Sequence, residues 1–228
     1  MPEESNRKRA VLFDMDGVLV LTDQLKAEAH AETVKLLGGD VPASFYGRHM
    51  GKSHQAVRQA FLTQAGITAD PDEYTRIYHE TYQRLLSTRL EVAPGAVSLL
   101  QRLADRGFSL GVVSSSRSWM MDAILTQTHL DRFFNVRVCS EDAERPKPAP
   151  DPYLTALKLL GAKERAAVAV EDSQSGVEAA ATAGIPVLAM RHALNKEHDF
   201  TRAVAEFNSL CDTSIVDVIE SLLVPAHA

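Results

Sequence analysis

Cysteines and basic clusters are scarce in this sequence, and each shortage excludes a class of protein. Two cysteines occur among 228 residues, Cys139 and Cys211, and they lie far apart with no spacing typical of a metal site. We therefore expect two reduced thiols in a cytoplasmic protein rather than a disulfide framework. The formal net charge is −6 and no block of lysine or arginine stands out. This charge pattern argues against a nucleic acid as the main partner.

Long apolar runs are missing as well. None approaches the roughly 18 residues that suggest a membrane-spanning helix, so we expect no membrane partner. The polar start, residues 1–9, lacks the apolar core of a signal peptide. With 45% hydrophobic residues, the chain is long enough for one full-sized domain, or for one domain with a smaller insertion. A monomer is the default expectation.

The stretch from residue 21 to residue 90 contains helical patterns and no convincing strand. Apolar residues at helical spacing predict helices over residues 22–37 and 53–64. A third helix is predicted from residue 71, because Asp70 can cap it, Pro71 fits its first position and Glu73 supports the cap. Its apolar face continues through Leu85 and Leu86. We expect residues 21–90 to form an all-helical unit.

Strands and helices alternate through the rest of the chain. Strands are predicted at residues 10–13, 108–113, 135–139, 166–170 and 185–190, with a last short strand at 209–211. This alternation is typical of an α/β fold whose parallel sheet is covered on both faces. The first strand precedes the helical unit. Residues 1–20 and 91–228 are therefore expected to form one core domain, into which residues 21–90 are inserted.

Unusual polar residues follow three of the predicted strands. In chain order they are Asp14 and Asp16, then Ser114, Ser115 and Ser116, then Glu171 and Asp172. Lys147 adds a cation in a loop that prolines on both sides stiffen. Each element by itself has an ordinary explanation, since such residues often cap helices or face solvent. The carboxyl ends of parallel strands meet at one edge of the sheet, however, so we expect these side chains to share a site.

Phosphoryl transfer needs this combination of groups, because the reaction depends on positioning and on neutralising charge. Asp14 and Asp172 can hold Mg²⁺ through oxygen ligands, with Glu171 as a further ligand or as a hydrogen-bond acceptor behind them. Lys147 can offset the charge of the nucleophile and the phosphate. Asp14 can attack phosphorus to form an aspartyl-phosphate, and Asp16 can protonate the leaving oxygen and then activate water.

The remaining candidates would hold the phosphate. Ser114 can donate a hydrogen bond to a phosphate oxygen. The amides of Ser115 and Ser116 would open the next helix, where anions bind readily. Gly17 allows a sharp turn that leaves backbone N–H groups open to a ligand.

Four segments resemble the motifs of the haloacid dehalogenase superfamily. In the family order they are F-D-M-D-G-V-L at residues 13–19, S-S-S-R at 114–117, R-P-K-P-A-P-D-P at 145–152 and V-E-D-S-Q-S-G-V-E-A-A-A-T-A-G at 170–184. With the helical insertion after the first motif, the chain resembles the β-phosphoglucomutase-like phosphatase branch. The resemblance implies a Rossmann-like core, a helical cap over the site and a Mg²⁺ cofactor.

The same resemblance implies residue roles. Asp14 would be the nucleophile and Asp16 the acid and base, with Ser114 and Lys147 on the phosphate. Glu171 and Asp172 would lie at the metal. The backbone carbonyl of Asp16 would also reach the metal.

The chain departs from the family pattern after the first motif and in the cap. Leu21 stands where family members often have Asp, and Lys26 stands where they often have His. Related sugar-phosphate mutases grip a second phosphate with a cap segment whose best match here is residues 50–54. Gly51, Lys52 and His54 of that segment are candidate substrate-binding residues.

Hydrolysis is the favoured reaction. Met50 lacks the charge of the mutase pattern, and His54 carries only part of one near neutral pH. The leading expectation is a Mg²⁺-dependent phosphatase for a small phosphorylated metabolite, such as a sugar or polyol phosphate. A mutase that moves phosphate within a hexose is the alternative, and a non-catalytic phosphate-binding protein is a further one. Dehalogenases and phosphonate-cleaving relatives usually lack the second aspartate of the first motif, so Asp16 argues against both.

Overall fold

Six parallel strands form one sheet in the order β3-β2-β1-β4-β5-β6. The computed structural model describes residues 8–223, so most of the polar N-terminal segment lies outside the described residues. The strands are β1 (Ala10–Phe13), β2 (Ser109–Val113), β3 (Val136–Val138), β4 (Ala167–Glu171), β5 (Val187–Met190) and β6 (Ala205–Phe207). The α/β class with a parallel sheet is confirmed.

The register aligns the carboxyl ends of the three central strands. Phe13, the last residue of β1, pairs with Val112 of β2 on one side and with Val170 of β4 on the other. The chain leaves β1 toward β2 and later returns to β4 on its other side. Such a reversal of strand order opens a crevice beyond the strand ends, and the polar residues after these strands point into the same region.

Helices cover both faces of the sheet. The eight helices of the described residues are α1 (Asp23–Leu36), α2 (His54–Ala65), α3 (Pro71–Arg89), α4 (Ala96–Asp105), α5 (Ser118–Thr128), α6 (Asp151–Leu160), α7 (Gln174–Thr182) and α8 (Ser214–Leu223). Successive strand residues face opposite sides. Accordingly, Ala10 and Leu12 pack with α6 and α7, whereas Val11 and Phe13 pack with α4, α5 and α8.

Helices α1, α2 and α3, with a short 3₁₀ segment at Ala43–His49, form the insertion between β1 and α4, which we call the cap. As predicted, Asp70 caps α3: its Oδ1 accepts hydrogen bonds from the amides of Asp72 and Glu73 at 2.9 and 3.0 Å. Two antiparallel connectors join the cap to the rest of the described chain, which carries the sheet and which we call the sheet domain. Between them, Leu21 N donates to Glu91 O at 2.9 Å. The boundaries at residues 20/21 and 90/91 stay a prediction.

The prediction of a last strand at residues 209–211 is wrong. The strand lies at Ala205–Phe207, where it pairs with β5. At residue 209 the chain already turns, because the Ser209 hydroxyl accepts a hydrogen bond from the Cys211 amide at 3.1 Å. Leu210 lies in this turn and its side chain is buried. This apolar residue made the segment resemble a short strand in the sequence.

Across residues 8–223, no helix is both long enough and apolar enough to cross a membrane.

Candidate active site

Lys147 joins two of the strand ends through its ammonium group. Its Nζ lies 2.5 Å from Asp14 Oδ1, 2.6 Å from Glu171 Oε1 and 2.9 Å from the carbonyl oxygen of Val113. Its side chain is 2% exposed. Burial opposes the charge on Lys147, but Asp14 and Glu171 together raise its pKa. The lysine therefore stays charged and can offset the charge of Asp14.

Asp14 follows β1 directly, and its amide donates to Val170 O at 2.9 Å. Burial raises the pKa of the Asp14 carboxyl to about 8 in spite of Lys147, with Glu171 and Asp16 adding to the rise. Lys147 binds one carboxylate oxygen, and Oδ2 accepts no hydrogen bond from residues 8–223. One oxygen of the predicted nucleophile is therefore left for another group.

Asp16 lies in a dense set of donors. Its Oδ1 accepts from Thr22 Oγ1 at 2.5 Å, and its Oδ2 accepts from Ser116 Oγ at 2.7 Å and Ser114 Oγ at 3.1 Å. Lys26 Nζ, from helix α1 of the cap, lies 2.8 Å from the same Oδ2. Burial would raise the pKa of Asp16, but the Lys26 charge and these hydrogen bonds hold it below its usual value.

The loop of residues 114–116 donates hydrogen bonds to Asp16 and also lines the crevice. The Ser116 amide donates to Ser114 Oγ at 3.0 Å, and α5 begins only at Ser118. The amide of Ser116 is therefore not a free helix-terminal donor, and this residue contributes its hydroxyl to Asp16 instead. Ser114 and Ser115 both line the crevice, as a phosphate contact requires.

Glu171 is the last residue of β4 and is fully buried. Its Oε1 accepts from Lys147 and from Tyr153 Oη at 2.8 Å, and its Oε2 accepts from the Asp172 and Ser173 amides and from Ser173 Oγ. A side chain at Gly176 would overlap this carboxylate. Both carboxylate oxygens of Glu171 are therefore engaged. The geometry favours a role for Glu171 in positioning Lys147 and disfavours a role as a direct metal ligand.

The acidic groups at the strand ends fit a hard divalent cation. Oxygen atoms of Asp14, Glu171 and Asp172 lie within 4.8 Å of one another, and a second group joins Asp23, Asp172 and His192 within the same limit. Burial raises the pKa of Asp172, and neighbouring carboxylates raise it further. Oxygen donors of this kind suit Mg²⁺, which would offset their mutual repulsion. Asp14 and Asp172 would hold the ion, with the carbonyl of Asp16 nearby in the chain.

The cap closes one side of the crevice. Ser175 Oγ, at the start of α7, donates to the carbonyl oxygen of Gly51 at 3.1 Å. Gly51 has φ +74°, and a Cβ there would collide with Ser173 and Ser175. The structure thus places Gly51 in the contact between cap and sheet domain. A cavity of ≈ 570 Å³ lies beneath, lined from the sheet side by Asp14, Asp16, Lys147 and Asp172.

The sequence of residues 11–190 matches the family model of haloacid dehalogenase-like hydrolases. The chain belongs to this family. It is 30% identical over 187 residues to a phosphorylated carbohydrates phosphatase from Thermotoga maritima, covering 82% of this chain and 87% of that protein. It is 28% identical over 176 residues to a phosphoglycolate phosphatase from Aquifex aeolicus, covering 77% and 81%.

Among solved structures, a similar one is CbbY from Rhodobacter sphaeroides in complex with phosphate. The TM-score is 0.79 at 25% identity, covering 90% of this chain and 96% of that chain. These likenesses confirm the resemblance drawn from the four motifs. They also confirm the expectation of a phosphoric monoester hydrolase of the haloacid dehalogenase-like family that acts on phosphorylated small molecules.

The other predicted cap residues of this hydrolase lie at different depths. Lys52 is exposed, and its Nζ lies 3.3 Å from His49 Nδ1. His54 packs against the rings of His30 and Tyr78, with centroids 5.4 and 4.5 Å away. Burial lowers the pKa of His54 to about 4, so its ring is neutral near pH 7.

Three residues that line the cavity from the cap are not among the site residues predicted from the sequence. They are Asp23, His30 and Tyr78. Tyr78 lies on the apolar face of α3 and also packs in the core, so its spacing in the sequence indicates a core residue. Asp23 was detectable only as an acid in the first turn of α1, which is an ordinary place for one.

Proposed function

We propose that this hydrolase is a Mg²⁺-dependent phosphatase that cleaves a small sugar or polyol phosphate through an aspartyl-phosphate on Asp14. One observation carries the proposal. Asp14 is buried with Oδ1 bound to Lys147 and with an Oδ2 that accepts no hydrogen bond from the described residues. The relative from Thermotoga maritima, a phosphatase of phosphorylated carbohydrates, supports the substrate class.

The first step forms the bond between Asp14 Oδ2 and phosphorus and breaks the ester P–O bond. Lys147 neutralises the nucleophile and the incoming phosphate. The Ser115 amide can bind a phosphate oxygen, and the Ser114 hydroxyl can do so once it releases Asp16. The leaving oxygen takes a proton from Asp16. When bound, Mg²⁺ would supply charge neutralisation for the phosphate oxygens.

The second step returns Asp14 to its carboxylate. Asp16, now ionised, accepts a proton from a water molecule that attacks phosphorus, and the bond from phosphorus to Asp14 breaks. Thr22 and Ser116 hold the Asp16 side chain in place, so the same carboxylate can serve both steps. The cap limits the entry of other water.

The cap favours hydrolysis over the mutase alternative. A mutase must hold a second phosphate in the cap while the first one reacts. Met50 is buried and apolar, His54 is neutral near pH 7, and Lys52 lies beside His49 at an exposed position. This segment therefore lacks the paired cations that would grip a second phosphate.

Phosphate release from a panel of phosphorylated metabolites tests the proposal. We expect turnover of sugar or polyol phosphates with Mg²⁺, loss of turnover with a chelator, and no activation by a sugar bisphosphate. Asp14→Asn should abolish the activity without changing the circular dichroism spectrum. Activity in Asp14→Asn would refute the nucleophile, and activation by a bisphosphate would support the mutase. Metal and phosphate binding without any turnover would support the non-catalytic alternative.

A further inference from the structure

Asp23 places an unpaired carboxylate oxygen beside the proposed metal site. The residue begins helix α1 of the cap and is 6% exposed. Tyr46 Oη lies 3.4 Å from Asp23 Oδ1, but Oδ2 is buried and accepts no hydrogen bond from residues 8–223. An unpaired buried carboxylate oxygen is costly, so it needs a partner that residues 8–223 do not supply.

Gly17 shows where that oxygen points. A Cβ on Gly17 would overlap Oδ2 of Asp23 and Oδ2 of Asp172 at once. The two oxygens therefore face the same space beside the Gly17 backbone. Lys26, one turn further along α1, forms its ion pair with Asp16, and its charge acts on Asp23 only from beyond ion-pair distance. Two like charges converge here without a described protein cation between them.

His192 holds Asp172 in this arrangement. Its Nδ1 accepts a hydrogen bond from the Leu194 amide at 3.3 Å, so its Nε2 carries the proton. Nε2 lies 2.9 Å from Asp172 Oδ2, to which it donates. His192 thus acts as a positioning residue that orients the carboxylate, as partners behind metal ligands commonly do.

We propose that Asp23 binds, through a water molecule on the ion, the same divalent cation that Asp14 and Asp172 hold, with His192 positioning Asp172. This inference rests on the proposed Mg²⁺ dependence and adds a carboxylate from the cap to the site. It predicts two effects of removing the Asp23 charge, one on cation affinity and one on the stability of the cation-free protein. Removing the Asp23 charge weakens cation binding, and it stabilises the cation-free protein by relieving repulsion with Asp172.

Two measurements on the chelator-treated full chain test this, and neither needs substrate. Titration calorimetry with MgCl₂ and MnCl₂ gives the cation Kd, and thermal unfolding with and without Mg²⁺ gives Tm. For Asp23→Asn we expect Kd to rise roughly tenfold or more. We expect the cation-free Tm to rise by about 2–4 °C. The upward shift of Tm on adding Mg²⁺ should shrink.

Matched variants separate cation binding from a structural role. Asp72→Asn removes a carboxylate that lines the same cavity but is exposed. Tyr46→Phe removes the hydroxyl near Asp23 and keeps the charge. Both should keep the wild-type Kd. His192→Gln should raise Kd less than Asp23→Asn does. Asp23→Ala serves as a second variant if Asp23→Asn does not fold.

An unchanged Kd in Asp23→Asn, or a fall in its cation-free Tm together with a wild-type Mg²⁺ shift, would overturn the inference. In that case, Mg²⁺-dependent turnover by the wild type would leave the proposed function standing. If the wild type binds neither cation, the inference and the proposed Mg²⁺ dependence both fail.

Discussion

Lys26 Nζ lies 2.8 Å from Asp16 Oδ2 and 3.3 Å from Ser116 Oγ, so a lysine of the cap pairs with the proposed acid and base of the sheet domain. The Lys26 side chain is 14% exposed. The contact holds Asp16 as a carboxylate, which is the form that activates water in the second step. The first step needs Asp16 protonated, so the pair must loosen when substrate enters.

Replacing Lys26 should slow the second step. In Lys26→Met, burial acts on Asp16 without the ammonium that lowers its pKa, so less carboxylate is present near neutral pH. We expect kcat to fall roughly tenfold to a hundredfold, and the acid limb of the pH–kcat profile to move to higher pH. Lys52→Met is the control, because Lys52 is exposed on the cap. Equal profiles for the two variants would show that the pair has no catalytic role.

Gly51 should control how closely the cap packs against the sheet domain. Gly51→Ala puts a methyl group against Ser173 and Ser175 at a φ of +74°. We expect KM to rise several-fold and Tm to fall, because alanine is strained at this φ and the methyl group has no room. Gly66→Ala is the matched control, since Gly66 has φ +67° with open space around its Cβ. If Gly51→Ala and Gly66→Ala have the same KM, the contact does not serve closure.

His54 should make the protein less stable in mild acid. Burial lowers the pKa of His54 from the usual 6.5 to about 4. Above pH 6.5 the ring is neutral in the folded and unfolded states. As pH falls from 6.5 toward 4, the unfolded state takes up the proton first, so the free energy of unfolding drops. Over this range we expect His54 to account for a loss of about 1–3 kcal/mol.

Denaturant unfolding across this pH range checks the effect. His54→Gln should lose less stability than the wild type between pH 6.5 and 4. His129→Asn is the control, because His129 is exposed at φ 56°, a conformation that Asn tolerates. Parallel curves for wild type and His54→Gln would mean that another group carries the acid sensitivity.

The residues of the sheet domain were predictable because strand ends obey a simple rule. Polar residues directly after buried parallel strands meet at one edge, and Asp14, Ser114 and Asp172 do so. Lys147 was recognisable because prolines on both sides stiffen the loop around it. The short strand at Ala205–Phe207 was missed because alanine and glutamate are uncommon in strands, whereas the equally short β3 contains two valines.

The residues that the cap and the loop after β5 bring to the site could not be located in advance. Lys26 was noted as a departure from the family pattern, but helical spacing does not give the angle at which α1 meets the sheet domain. Asp23 depends on that same angle. His192 contacts Asp172 from a loop that the Asn195 side chain fixes by donating to the carbonyl oxygen of Asp172 at 2.7 Å.

The covalent intermediate on Asp14 is the central claim, and trapping it is the most direct test. In Asp16→Asn the second step is slowed, while p-nitrophenyl phosphate still reacts because its leaving oxygen needs little protonation. Borohydride added during turnover with Mg²⁺ reduces an aspartyl-phosphate to homoserine, which peptide mass spectrometry locates. We predict homoserine at position 14 and none in Asp14→Asn. Unmodified Asp14 in a variant that still releases p-nitrophenol, or modification at another acid, would contradict the mechanism.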